Sequence, residues 1–315
     1  MKSTPMFVNN EKKAAMRRWH RTFRDRLPVP TESVTLETPF GTTHALVGGA
    51  EAGPPLVLVH GAMASSAHAM GELGPLLRTR RVYALDVIGQ SPMSEDRRIE
   101  VRDDSYGRWV ASATEALGLD TFDLYGVSWG GFVALQAARV IPERLCHLVL
   151  MVPAGVVGES PVKSLREIGW PMLMYLRFPS EARLSRVVGA LFTQPDPTWT
   201  AYFGEALLAY RLDMRIPPLA RPEQLADLRC QTLVIGAEQD VHFPGRRLID
   251  RVRKLIPHAE GELLPGSRHC PPFDSAFQDR MAERIERFLG EGTAGAGREA
   301  GSPGVGEISK ATRRG

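Results

Sequence analysis

Phe122-Asp123-Leu124-Tyr125-Gly126-Val127-Ser128-Trp129-Gly130-Gly131 is the stretch on which the reading of this chain turns. Residues 122–127 read as a buried strand, and residues 129–140 as a helix. Gly126, Ser128 and Gly130 therefore bracket a strand-to-helix junction. The pattern G-x-S-x-G recurs by chance in any long sequence. Placed at such a junction it makes a sharp elbow that lifts the serine out of the sheet. Glycine is required there because neighbouring backbone passes too close for a Cβ. The helix start behind the serine leaves main-chain N–H groups free to meet negative charge.

Working outward, the same alternation recurs. Ser33–Glu37 and Thr42–Val47 flank the turn residues 38–41 and read as a hairpin. Pro55–His60, Arg81–Asp86 and His147–Val152 are continuous apolar runs, as expected of strands covered on both faces. Helical segments at 67–78, 103–118 and 129–140 lie between them. This predicts an α/β fold with a mostly parallel central sheet flanked by helices. The alternation stops over 156–222, a stretch rich in Trp, Tyr and Phe and punctuated by proline, then resumes with Thr232–Gly236, a helix near 244–256, Gly261–Leu264 and a helix at 274–289. The expected division is an N-terminal helix in 1–30, a core in 31–155 and 223–290, a helical cap in 156–222, and a tail in 291–315. That tail has 7 glycines in 25 residues and almost nothing apolar, and is expected to be disordered.

The 315 residues allow two domains or one large domain with an insertion. With 43% hydrophobic and 24% charged residues, the chain is neither a disordered polymer nor a multi-pass membrane protein. Its net charge of +3 gives no nucleic-acid footprint. Residues 1–26 are the basic exception, with eight Lys or Arg against two acids. Over residues 11–27, Ala15, Trp19, Phe23 and Leu27 recur every four residues, an amphipathic helix ended by Pro28 and Pro30. It is expected to pack on the domain, with a membrane surface or partner as the other reading. No integral membrane segment is predicted, since no apolar run nears the roughly 18–20 residues of a span. Three scattered cysteines suit a reduced, cytoplasmic setting and no thiolate metal site.

A serine hydroxyl needs a base in hydrogen-bond reach and an acid behind that base. In an elbow of this type the partners follow in the order acid, then histidine. His269 lies in the loop Gly266–Pro271 after the last strand, where sites assemble in open sheets. Asp240, just past the strand 232–236, is the expected acid, with Glu238 as backup. His242 either lines the pocket or is simply exposed. The oxyanion donors are expected to be the N–H groups of Trp129, after the nucleophile, and Ala62, in the loop His60-Gly61-Ala62-Met63. His60 is expected to brace that loop by hydrogen bonds rather than act on substrate.

With these motifs in view, residues 30–290 resemble the α/β-hydrolase superfamily, in its serine esterase/lipase-like branch with a helical cap. The matching pieces are LVLVHGAM, DVIGQSPMS, GVSWGG, LVIGAEQD and PGSRHCPPFD. The chain departs from the family loop at Ser91, where a second glycine is usual, which puts the local backbone path in doubt. The N-terminal helix is also similar to bacterial carboxylesterases. The resemblance implies a serine hydrolase acting on a small-molecule carboxylic ester or related acyl compound, with no cofactor or metal. An acyltransferase, a cyclising enzyme or a C–C bond hydrolase would use the same residues. A non-catalytic binding protein would keep the fold alone.

Overall fold

The computed structural model describes residues 5–158, 161–213 and 215–291. Its strands are β1 Thr31–Thr38, β2 Gly41–Gly49, β3 Pro55–Val59, β4 Arg81–Leu85, β5 Phe122–Val127, β6 Leu145–Met151, β7 Gln231–Ala237 and β8 Glu260–Leu264. The helices are α1 Asn10–Arg24, α2 Ser66–Glu72, α3 Ser105–Ala116, α4 Trp129–Val140, α5 Pro161–Ser164, α6 Trp170–Arg177, α7 Glu181–Leu191, α8 Pro197–Ala209, α9 Gly245–Leu255 and α10 Ser275–Glu291.

One sheet of eight strands runs in the order β1-β2-β4-β3-β5-β6-β7-β8. The pairs β1–β2 and β2–β4 are antiparallel, and all later pairs are parallel. The alternation of side chains builds a core on each face. Val57, Val59, Leu124 and Leu150 pack with Trp109 and Phe132 of α3 and α4 on one side. Leu56, Leu58, Val149 and Ile235 pack with Met70 of α2 and Phe288 of α10 on the other. The loops that leave β3, β4, β5, β7 and β8 all open at the carboxyl edge of the parallel strands, where ligands bind in such sheets.

Two predicted helices differ in extent. The segment 67–78 is split into α2 and a 3-10 turn over Gly74–Arg78, because Pro75 has no N–H with which to continue the helix. The first helix ends at Arg24, so Leu27 is outside it and Pro28 is not its stop. Its buried face is Ala15, Met16, His20 and Phe23. Met16 and Phe23 each contribute on the order of 1.5–3 kcal/mol by leaving water. The helix packs on the body of the protein: Trp19 Nε1 donates to Glu205 of α8 at 2.7 Å, and Phe7 stacks at 4.7 Å on Tyr210.

Between β6 and β7 the chain runs through α5 to α8, and among the described residues it returns no strand to the sheet. Its aromatic residues divide three ways. Tyr175 and Phe192 belong to a small core of the insertion's own, Tyr202 and Tyr210 join the core of the main sheet, and Trp170 and Phe178 are exposed. The expected disordered tail, apart from Glu291, lies outside the described residues. Among the described residues, no helix is long and apolar enough to cross a membrane.

Candidate active site

Ser128 sits at the tip of the elbow with φ 53° and ψ −114°, a strained conformation for a residue with a side chain. The surrounding backbone holds it there. Ser128 N–H donates to Met151 O at 2.9 Å, and its carbonyl accepts from Ala154 N–H at 2.9 Å. The two glycines are sterically required. A Cβ on Gly130 would stand 2.0 Å from Val59 O, and one on Gly126 would stand 2.4 Å from Gly130 O.

The structure brings Ser128, His269 and Asp240 together. His269 Nε2 is 3.0 Å from Ser128 Oγ, and His269 Nδ1 is 2.8 Å from Asp240 Oδ2. With the carboxylate on Nδ1, the proton belongs on Nδ1, and Nε2 is left to accept from the serine hydroxyl. Asp240 is buried, and its other oxygen accepts from the N–H groups of His242 at 2.7 Å and Phe243 at 3.0 Å. Burial alone would raise the Asp240 carboxyl. The neighbouring His269 and the two N–H groups outweigh it and hold the carboxyl below the usual range. Burial likewise disfavours charged His269, but Asp240, with a smaller effect from Glu72, raises it above an ordinary imidazole. Glu238 is not part of this chain of contacts. It is exposed, paired with Arg246 at 3.1 Å, and accepts from Gly266 N–H.

Beside the serine lies the loop His60–Met63. The N–H groups of Ala62 and Trp129 donate to no acceptor among the described residues. The loop is pinned from three directions. His60 Nδ1 donates to Gly61 O at 2.7 Å, and its Nε2 accepts from Val87 N–H at 2.8 Å. Met63, held at φ 56°, donates its N–H to Gln90 Oε1, and its carbonyl accepts from the Tyr202 hydroxyl. Behind the loop, Asp86 accepts from Ser66 N–H at 2.9 Å, Ser66 Oγ at 2.6 Å, His44 Nδ1 at 2.6 Å and the Ser91 hydroxyl. Burial would raise the Asp86 carboxyl, but His44, His20 and His60 drive it far below its ordinary value. Ser91, the departure from the family loop, thus ties the turn to Asp86, and its N–H donates to Val87 O at 3.0 Å.

A cavity of about 340 Å³ opens onto Ser128 and His269. The insertion lines one side with Met172, Leu191, Phe192, Trp199, Tyr202 and Phe203. A second side runs between the end of α2 and α10, past Leu73, Phe277, Met281 and Ile285. Of the two positions expected for His242, the structure shows the one lining the cavity, because the turn that donates its N–H to Asp240 carries its ring inward. Burial, then the nearby His269, lowers it to about 4. Glu72 also lines the cavity, and nothing in the sequence singled it out. Its only signal is an isolated acid at the end of a short helix.

The chain belongs to the alpha/beta hydrolase family, whose match runs over residues 56–284. It is 33% identical over 279 residues to carboxylesterase YbfK of Bacillus subtilis, covering 83% of this chain and 89% of that protein. It is 30% identical over 271 residues to a 2-hydroxymuconate semialdehyde hydrolase of Pseudomonas putida, covering 77% of this chain and 89% of that protein. The crystal structure of naproxen esterase from Bacillus subtilis shares the fold, with a TM-score of 0.74 over 89% of this chain and 99% of that one at 21% identity.

Proposed function

We propose that this protein hydrolyses a carboxylic ester through an acyl-enzyme on Ser128. The observation that carries the reading is the 3.0 Å contact of Ser128 Oγ with His269 Nε2, continued at 2.8 Å to buried Asp240. His269 takes the serine proton as Oγ attacks the ester carbonyl. The Ala62 and Trp129 N–H groups receive the oxyanion on a loop already fixed before substrate arrives, so little reorganisation is needed at the moment of reaction. His269 then passes the proton to the departing alcohol. A water, deprotonated by His269, attacks the acyl carbonyl and frees the acid and Ser128. Asp240 keeps the imidazole in the working tautomer and stabilises its cation. The helical insertion forms the roof over the substrate, and the apolar lining suits a medium-sized ester without negative charge.

The relation to carboxylesterase YbfK supports ester hydrolysis. The relation to a hydrolase of 2-hydroxymuconate semialdehyde favours C–C bond hydrolysis as the second reading. That substrate is a carboxylate by its chemistry. Among the described residues the cavity is lined by no Lys or Arg and carries the acid Glu72, which opposes an anion and supports the ester reading.

A fluorophosphonate probe is expected to label the purified protein, and the label is expected to vanish in Ser128→Ala. A folded protein that stays unlabelled would leave a binding role in first place. The pH profile gives a separate check. Neutral His269 is the active form, so kcat/KM falls as pH drops through its pKa. Because that pKa is raised, the midpoint of the acid limb is expected above the ~6.5 of free imidazole. A limb centred below about 6 would contradict a His269 base held by Asp240.

A further inference from the structure

Glu72 is the last residue of α2 and lines the cavity that opens onto Ser128. Among the described residues its carboxyl makes no hydrogen bond and no ion pair, and the side chain is partly exposed where it faces the cavity. Three features set it apart from a residue kept for structure. Its carboxyl faces a mainly apolar cavity and has no partner there from the described residues. An acid at the carboxyl end of a helix meets the negative end of the helix dipole, so the position is not one that folding favours. The groups around it are those of the pocket: Leu73 just after α2, Tyr125 from β5, Cys270 beside His269, and Phe277, Gln278 and Met281 from α10. The titratable groups that feel its charge are His269, Tyr125 and Cys270, and none of them neutralises it through a bond.

We propose that Glu72 is a specificity residue, which selects esters carrying a hydrogen-bond donor, an amine or a hydroxyl, in the arm of the cavity between α2 and α10. The inference rests on the esterase reading of the same pocket. An unpaired carboxylate in an apolar cavity is costly, and a ligand that brings the missing donor removes that cost. A hydrocarbon ligand leaves it in place, so discrimination comes from the group left unsatisfied. Burial raises the Glu72 carboxyl to about 7, with His269 opposing the rise. The residue is therefore neutral below neutrality, when it still accepts from a hydroxyl. It is an anion above neutrality, when it also pairs with an ammonium.

The test uses phenylboronic acids, which add reversibly to an activated serine, bearing a methyl, hydroxymethyl or aminomethyl group at the meta or para position. In the full-length protein at pH 8, a donor-bearing compound is expected to inhibit at least tenfold more tightly than its methyl counterpart. In Glu72→Leu that preference is expected to disappear while the methyl compound tightens. In Glu72→Gln, which keeps the shape and the acceptor, the aminomethyl preference is expected to go and the hydroxymethyl preference to remain. In the wild type, lowering the pH from 8 to 6 is expected to erase the aminomethyl preference alone. His269 titration affects all the compounds alike and cancels in the ratios. Ratios that match in wild type and Glu72→Leu at both ring positions would overturn the proposal while leaving the esterase reading intact. Absence of inhibition by every compound, together with absence of fluorophosphonate labelling, would overturn the esterase reading and this one with it.

Discussion

Ser128→Ala is expected to lower kcat/KM for an activated phenyl ester by roughly 10⁴- to 10⁶-fold. The thermal transition should move little, by an amount corresponding to about 0.5 kcal/mol or less. The reason for the separation is local. Among the described residues the Ser128 side chain hydrogen-bonds to His269 alone, whereas the elbow is held by main-chain bonds to Met151 and Ala154 that an alanine keeps. Steady-state kinetics on the purified variant, set beside its melting curve, decide the matter. Activity within tenfold of wild type would mean that the serine is not the nucleophile. Activity lost together with the fold would instead mean that the hydroxyl is needed to hold the strained elbow.

Asp240→Asn is expected to lower kcat by about 10⁴-fold, for a reason that the hydrogen bonds spell out. One Asp240 oxygen accepts from two main-chain N–H groups, those of His242 and Phe243. An amide at this position must keep its carbonyl on that side. Its NH2 group is then turned toward His269 Nδ1, which has to become an acceptor. The imidazole proton moves to Nε2, where it points at Ser128 and blocks removal of the serine proton. Glu238→Gln is the matched control, because Glu238 pairs with Arg246 and Gly266 and touches none of these groups. Equal losses in the two variants would show that Asp240 acts through general acidity of the region. A loss under tenfold in Asp240→Asn alone would show that His269 needs no orienting acid.

The elements that were readable from the chain are those whose signal is local. The strands β3 to β7 are apolar runs that announce themselves, and the elbow carries glycines at positions where a Cβ would clash with Val59 and Gly130. His269 and Asp240 could be named as candidates because each follows a strand, and strand order fixes which loops meet. What was not readable depends on partners far away in sequence. Helical spacing marks α1 as amphipathic, and its buried face includes Met16 and His20, since the surface it meets is α2, the loop before it and α8. The aromatic residues of the insertion look alike in composition. Only packing divides Phe192 from Trp170, one buried beside the cavity and one largely in water. Glu72 illustrates the limit most clearly. A single acid on a seven-residue helix has no periodicity, and its isolation from partners exists only in three dimensions.

The seating of α1 also sets an order of events as the chain is made. Phe7 pairs with Tyr210, Val8 N–H donates to Ala209 O, and Trp19 is anchored by Glu205. A chain synthesised from its N-terminus delivers the helix first and these anchoring residues some two hundred positions later. Until residue 210 has emerged, the stripe is seated only in part, with Phe23 against His68, while Trp19 lacks Tyr202 and Glu205 and stays open to solvent or to a chaperone. This helix is thus fully fitted only long after it is made, and the loop that holds the Ala62 N–H group likewise gains its Tyr202 brace late. Activity in a nascent chain would therefore be a late property of the molecule even though the serine elbow is complete by its midpoint.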